Sequence, residues 1–414
     1  MTYLITNNKA DCTACGACAQ ICGHQAISME YDNEAFAYPV IDKDKCIDCG
    51  ACVKVCPLNE EDRHPGEIEF KPLRVFGGSH KDDEVLINST SGGAFTAFCQ
   101  AWSEQGDYVI YGAFADGLDV RHVRLTSIDD LKKICKSKYR QSEIGTCFKS
   151  VRQDLVKGRK VLFSGTPCHI GGLISFLKNI DRSNLLTIEV ICEGVPSPLF
   201  IEKMSKGIFG ESASDLEGLD YRCKKKSFGS PISWDFQMMQ ASFRSRPSWT
   251  RDRWFNPFWN VWLKHLMSRP SCYDCRYACP KRVADVTLGD LWGVHLYCPD
   301  LYNMNKGASL VICNSEKGAE WLEKAMPALN GHDLNPQDAL RYQGPLRKKV
   351  QKNPNREAFM ADLMNEDSTY DKLVEKWYDK PSLKLIISKY VWGNRNKVWL
   401  WNFLRHFKIN YRIR

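Results

Sequence analysis

Two runs decide the fold of the amino-terminal end: Cys12-Thr13-Ala14-Cys15-Gly16-Ala17-Cys18-Ala19-Gln20-Ile21-Cys22 and Cys46-Ile47-Asp48-Cys49-Gly50-Ala51-Cys52-Val53-Lys54-Val55-Cys56-Pro57. Each reads Cys-x2-Cys-x2-Cys-x3-Cys, and together they hold eight of the chain's 19 cysteines. At this spacing three cysteines of a run hold one 4Fe–4S cubane and the fourth reaches across to the other. The expected ligand sets are Cys12, Cys15, Cys18 and Cys56, and Cys46, Cys49, Cys52 and Cys22. Each iron of a cubane needs one soft thiolate, which a close loop of cysteines supplies. Disulfides are disfavoured, because Met-Thr-Tyr-Leu-Ile-Thr-Asn at the start has neither the charged nor the apolar region of a secretory leader. Zinc sites use paired cysteines rather than two runs of four. One asymmetry stands out: Pro57 follows the second run, whereas Gly23 follows the first.

At 414 residues the chain exceeds a cluster-binding module and has room for further domains. With 43% hydrophobic and 26% charged residues it is an ordinary globular sequence. No apolar run is long enough for a membrane span. Clusters together with many free cysteines predict a reducing, cytoplasmic setting. Net charge is +8, but the stretch 384–414 holds eight Lys or Arg and no Asp or Glu, so the remainder is balanced. A basic body or stripe for nucleic acid is therefore not expected.

Residues 1–62 read as a bacterial-type, two-cluster 4Fe–4S ferredoxin module. Between its runs, Ala26–Tyr31 and Ala35–Val40 form two short strands around Asp32-Asn33-Glu34. So small a module has little core, and its clusters must supply much of its folding energy. Residues 63–73 read as a charged linker. From Arg74 strands alternate with helices. Strands are expected over 75–79, 108–114, 120–125, 160–164, 185–192, 285–290 and 308–314. Helices are expected over about 93–104, 142–157, 167–178 and 198–208, with a capped helix start at Ser127. This alternation predicts an α/β domain over 74–345 with a mixed sheet. Residues 227–262 are rich in arginine and aromatics, with Phe243, Trp249, Trp254, Phe255, Phe258, Trp259 and Trp262. Two readings stand for them: a packed helix and loop, or a wall for a planar ligand.

A third group, Cys272-x2-Cys275-x3-Cys279-Pro280, supplies three ligands for a further cubane. Cys168 and Cys192 are the candidates for a fourth, since each follows a strand where a parallel sheet presents its carboxyl edge. The order x2 then x3 is the reverse of radical-enzyme spacing, and a zinc knuckle is the alternative. Ser89-Thr90-Ser91-Gly92-Gly93 and Gly165-Thr166-Pro167-Cys168-His169 each open a helix with small residues, where backbone N–H groups attract anions. Neither is a Walker or GxGxxG motif, so a nicotinamide Rossmann site is not predicted. The isolated Cys99, Cys135, Cys147, Cys223, Cys298 and Cys313 read as small buried residues.

Five stretches together resemble the coenzyme F420 hydrogenase/dehydrogenase beta-subunit family. They are 88–93 (Asn-Ser-Thr-Ser-Gly-Gly), 136–142 (Lys-Ser-Lys-Tyr-Arg-Gln-Ser), 163–169 (Phe-Ser-Gly-Thr-Pro-Cys-His), 191–198 (Ile-Cys-Glu-Gly-Val-Pro-Ser-Pro), and 269–275 (Arg-Pro-Ser-Cys-Tyr-Asp-Cys) through Gly289-Asp290-Leu291-Trp292-Gly293. The resemblance is to iron–sulfur flavoproteins of the bacterial branch found with cell-surface polysaccharide genes. It implies an FAD beside a 4Fe–4S cluster. Ser89, Thr90, Ser91, Gly92, Gly93, Lys138, Tyr139, Gly165, Thr166 and Pro167 would line the flavin, and Cys272, Cys275 and Cys279 would hold the third cluster. His169 stands where the family pattern has Gln, and Glu193 where it has His, which makes them, with Lys138, the catalytic candidates. Coenzyme F420 is the deazaflavin donor implied by the family name.

Beyond 346 a basic, aromatic helical tail is expected, with Trp399, Trp401, Phe403 and Phe407 beside Arg405, Lys408, Arg412 and Arg414. It suits an anionic membrane surface, at the inner face of the membrane, or a helix packed on the body. The expected function is an iron–sulfur flavoprotein oxidoreductase. It would take electrons from a donor protein or small carrier through the clusters to FAD and an organic substrate such as a glycan precursor. The alternative is an electron-transfer subunit of a larger redox complex without its own substrate.

Overall fold

The computed structural model describes residues 2–59, 70–227, 230–253 and 255–392, with 396, 399, 400, 403 and 404. Most of the expected linker, Trp254, and most of the basic tail, including Trp401, Arg405, Phe407, Lys408, Arg412 and Arg414, lie outside the described residues.

The N-terminal module is built from two similar halves. In each, a short helix follows a glycine in the left-handed region: Ala17–Ile21 after Gly16 (φ 74°), and Ala51–Lys54 after Gly50 (φ 70°). Two residues earlier, Ala14 and Asp48 also take positive φ, 54° and 51°. The backbone thus repeats the cysteine spacing residue for residue, despite Gly23 and Pro57. Between the halves, β1 (Ile27–Tyr31) and β2 (Ala37–Ile41) form the expected antiparallel hairpin.

The body is organised by an eight-stranded mixed sheet. Its strands are β3 (Arg74–His80), β4 (Tyr108–Asp116), β5 (Asp119–Leu125), β6 (Lys160–Gly165), β7 (Leu185–Val190), β11 (Val286–Asp290), β12 (Ser309–Cys313) and β13 (Leu329–Asp333). They lie in the order β13-β3-β12-β11-β7-β6-β4-β5. The four in the middle, β11, β7, β6 and β4, are mutually parallel, and every other pairing is antiparallel. The parallel strands are near-continuous apolar runs because both faces are covered. Helices Ala94–Ser103 and Glu316–Ala325 cover one face, with Trp102 and Trp321 in contact at 4.3 Å. Helices Cys147–Val156 and Pro167–Phe176 cover the other.

Two expectations change. The helix expected over 142–157 begins only at Cys147, because Ser142 hydrogen-bonds His122 and Gly145 takes φ 52°. Residues 227–262 are not only helix and loop. A three-stranded antiparallel sheet, β8 (Leu216–Ser227), β9 (Ser230–Phe243) and β10 (Trp249–Asp252), precedes the helix Pro257–Leu263. This sheet packs with helix Pro198–Phe209 and with Phe359, Met360, Leu363 and Leu373 into a second core. Part of the segment expected as a tail is therefore body. Arg356, at the start of helix Arg356–Met364, bonds both carboxylate oxygens of Glu34 in the N-terminal module at 3.0 and 2.6 Å. Among the described residues, no helix is long and apolar enough to cross a membrane.

Candidate redox centre

The parallel strands place the chemistry. β6 and β7 are neighbours, and each ends in a turn carrying a cysteine: Gly165-Thr166-Pro167-Cys168 and Val190-Ile191-Cys192. The carboxyl edge of a parallel sheet is where ligands gather. Here it brings Cys168 and Cys192 together with Cys272 and Cys275, and all four line one inner cavity of about 50 Å3. Both cysteines offered by the sequence as alternatives thus stand at the site. Cys279 does not line it: its thiol donates to the Arg276 carbonyl at 3.3 Å.

The four sulfurs are dressed for anionic thiolates. Gly194 N donates to Cys192 Sγ at 3.4 Å, Val195 N to Cys272 Sγ at 3.4 Å, and the Thr166 hydroxyl lies 3.1 Å from Cys168 Sγ. Gly194 takes φ 122°, a backbone conformation that residues with side chains rarely adopt. Burial pushes all four thiols up, Cys272 to about 12 and Cys275 to about 11, and the charge of Cys168 raises the other three further. Iron would overcome that penalty by binding the thiolates. Among the described residues no three His, Cys, Asp or Glu side chains converge closely enough for a single ion. A cubane spreads its thiolates over four different irons, one to each.

Burial raises the thiols of Cys12, Cys15 and Cys18, and the charge of Cys56 raises all three further; burial likewise raises Cys52, helped by the charges of Cys46 and Cys49, and Cys52 in turn acts on Cys18. Cys22 ends its helix with Sγ accepting from Ala26 N at 3.3 Å. Cys15 is buried, whereas Cys49 is exposed. The set containing Cys15 therefore faces inward. It lies against helix Pro167–Phe176: a Cβ on Gly172 would come within 2.9 Å of Cys15 Sγ. Cys168 sits one turn earlier on that helix, about 6 Å along the axis. Arg269, fully buried, lies between the two groups. It donates to the carbonyls of Cys12 (3.0 Å) and Ala37 (2.8 Å), and its charge acts on Cys12, Cys168 and Cys272 alike.

A larger cleft of about 380 Å3 adjoins the four-cysteine cavity, sharing Cys192, Glu193, Gly194 and Val195 with it. Its volume falls within the range of small-molecule sites. Ser89, Thr90, Ser91, Gly93, Lys138, Tyr139, Gly165 and Thr166 all line it. Pro167 faces the cysteine cavity instead. Gly92 serves packing: a Cβ there would strike Ser309 N at 2.3 Å, and Gly92 N donates to Ser309 Oγ. The N-terminus of helix Ala94–Ser103 opens on the cleft through Gly93–Thr96.

The cleft is cationic and aromatic. Lys138 is held by the carbonyls of Cys135 (2.6 Å) and Lys136 (3.2 Å), and burial lowers its pKa to about 8. Burial likewise brings Arg253 down to about 10, and Lys224, behind the Ser89–Gly93 loop, down to about 7. Arg222 is buried but kept charged by Asp290 at 2.7 Å. So many buried cations favour an anionic ligand. Tyr139 meets Trp259 and Trp262 edge to face at 4.6 and 5.0 Å, and both indoles line the cleft while packing in the core. Trp259 and Trp262 are therefore at once part of the core and part of the cleft wall. His169 is buried against the cleft, and among the described residues neither ring nitrogen has a hydrogen-bond partner. Burial holds it neutral, aided by His122 at 5.3 Å. Glu193 lines both cavities, and burial raises its carboxyl. The sequence offered no signal for Arg222, Lys224, Arg253 or Arg269, because a lone cation in sequence reads as surface.

Comparison with known proteins identifies the class first. Residues 11–59 match the 4Fe-4S dicluster domain, so the amino-terminal end is an iron–sulfur electron-transfer domain. Residues 158–335 match the family of the coenzyme F420 hydrogenase/dehydrogenase beta subunit, over its carboxyl-terminal part, and the chain joins that domain to the dicluster domain. A solved structure, "Xenon derivatization of the F420-reducing [NiFe] hydrogenase complex from Methanosarcina barkeri", is similar over 75% of this chain and 95% of that one, at 14% identity and a TM-score of 0.43. No curated protein matches.

Proposed function

We propose that this protein is an iron–sulfur flavoprotein oxidoreductase. Electrons enter at the N-terminal clusters and pass to a third cluster held by Cys168, Cys192, Cys272 and Cys275. They then reach an FAD in the adjoining cleft and an organic substrate. The observation that carries this reading is continuity. Cys15 packs against Gly172, one helical turn from Cys168, and the cavity of the third cysteine set opens onto the cleft at Cys192–Val195. A bound flavin would convert one-electron delivery into two-electron chemistry.

The chain's own residues do the rest. Gly93 and the first turn after it, with Lys138, offer N–H donors and positive charge to a phosphate. Tyr139, Trp259 and Trp262 supply aromatic faces and edges for a planar ring. His122 Nε2 donates to the Ser164 carbonyl at 3.0 Å, so its Nδ1 accepts from Ser142 at 2.8 Å and the ring is fixed against His169. His169 is then the group free to hydrogen-bond a cofactor or substrate. A glycan precursor remains the substrate proposed, and coenzyme F420 a second candidate for the cleft. The beta-subunit description of the matching family favours a second reading, an electron-transfer subunit docked on a catalytic partner. Exposed Leu383, Val391, Trp392, Trp399 and Phe403 support a membrane-surface role for the C-terminal stretch.

The test is a titration of the anaerobically prepared protein with FAD, followed by flavin fluorescence. We expect one tight site. An anionic ligand raises the pKa of Lys138 from about 8, so above that pH binding must take up a proton. Kd should then rise by up to about tenfold per pH unit. Lys138→Met should weaken binding and flatten the profile. Absence of any saturable flavin site overturns the flavoprotein reading.

A further inference from the structure

We propose that the open groove between helix Cys147–Val156 and the Cys22 loop docks an acidic one-electron carrier protein of the ferredoxin or flavodoxin kind. The groove, about 590 Å3, is lined by Gln20, Ile21, Cys22, Gly23 and Gln25 on one side and by Lys149, Arg152, Gln153, Val156 and Lys157 on the other. The inference rests on the reading that Cys22 ligates the outer N-terminal cluster.

The helix explains the charge. Phe148, Val151 and Leu155 face the core, while 149, 152, 153, 156 and 157 follow the spacing of the opposite stripe. That stripe carries three cations and no acid, and no Asp or Glu lines the groove at all. Among the described residues no carboxylate pairs with Lys149, Arg152 or Lys157, whereas Arg124, Lys136, Arg140, Arg159, Arg222 and Arg282 each have one. The rest of the chain apart from the basic end is charge-balanced, so the stripe is a local feature rather than a share of a general excess. Exposed Val156, with Ile21 and part of Phe176, gives the groove an apolar floor. Complementary charge around an apolar patch steers and orients a transient partner.

The groove is also the right place for electron entry. Gln20 Oε1 accepts from Phe148 N at 2.8 Å and from Lys149 N at 3.2 Å, so the cysteine run is clamped to the start of the cationic helix. Gly23 keeps the way to Cys22 clear: a Cβ there would meet nothing within 4 Å. In the step itself the reduced carrier loses one electron and the outer cluster gains it, with no bond made or broken.

The experiment measures binding of an acidic two-cluster ferredoxin to the iron-loaded chain by calorimetry at low and moderate salt, with iron counted in the same samples. Wild type should bind micromolar or tighter at low salt and weaken as salt rises. The combined variant K149E/R152E/K157E should raise Kd by ~10- to 100-fold with iron content and melting unchanged. Gly23→Trp, which meets open space, should also weaken binding. Full iron with no binding by wild type, or with unchanged binding by both variants, overturns the docking site alone. Missing iron in the wild type instead overturns the cluster reading beneath it. Tighter binding of DNA or of anionic vesicles than of the ferredoxin, lost in the charge-reversed variant, assigns the groove to those ligands and also overturns it.

Discussion

Replacing Cys192 or Cys272 by serine is expected to remove one whole cluster, dropping iron from about twelve to about eight atoms per chain. Cys279→Ser should keep the full complement. Cys192 and Cys272 are half-buried, and each accepts a backbone N–H at 3.4 Å, from Gly194 and Val195. A serine oxygen is harder and shorter than a thiolate and would leave one iron of the cubane poorly held. Cys279, by contrast, turns its thiol to the Arg276 carbonyl and away from the cavity. The functional effect should match. With the N-terminal clusters intact, both would still be reduced by a protein donor, but electrons would not reach the cleft. Iron analysis and the anaerobic reduction spectrum of the three variants check this.

Arg269→Gln should be the most damaging substitution away from the cysteines, at about 3–5 kcal/mol of stability. The guanidinium is fully buried and satisfies two carbonyls of the N-terminal module, Cys12 and Ala37, together with the Gln141 side chain at 3.3 Å. It also lies over the Tyr38 ring at 4.4 Å. A shorter neutral amide abandons at least one carbonyl and the ring. Because Arg269 senses Cys12, Cys168 and Cys272 together, its loss should also lower the reduction potentials of both neighbouring clusters, since a nearby positive charge favours the reduced, more negative state. Thermal unfolding and a redox titration followed by electron paramagnetic resonance measure the two effects separately. A normal melting temperature with unshifted potentials would show that Arg269 is a bystander.

The cysteine runs were legible because their spacing is itself the pattern of a cluster-binding module, and the parallel strands because Val161, Leu162 and Phe163, and Leu185, Leu186, Ile188, Val190 and Ile191, form apolar runs. The third cysteine set was half legible. Sequence proximity favoured Cys279, but after Cys275 the chain turns at Ala278-Cys279-Pro280 and carries the thiol aside. Cys168 and Cys192 reach the cavity from two neighbouring strand ends, which only the order β6 next to β7 reveals. β8 and β9 were missed because Lys224, Arg222 and Gln237 interrupt their apolar pattern. Those polar residues point inward, where Arg222 meets Asp290 and Lys224 holds the Ser91 and Leu86 carbonyls. A strand that turns charged residues inward onto protein partners defeats alternation as a signal.

The measurement that bears most directly on the whole account is the cofactor content of the chain purified without oxygen, with iron, sulfide and flavin each quantified. About twelve irons, as many sulfides and one FAD per chain are expected from three cubanes beside one flavin site. About eight irons and no flavin would contradict it, leaving a two-cluster electron-transfer domain joined to a body that binds neither a third cluster nor a flavin.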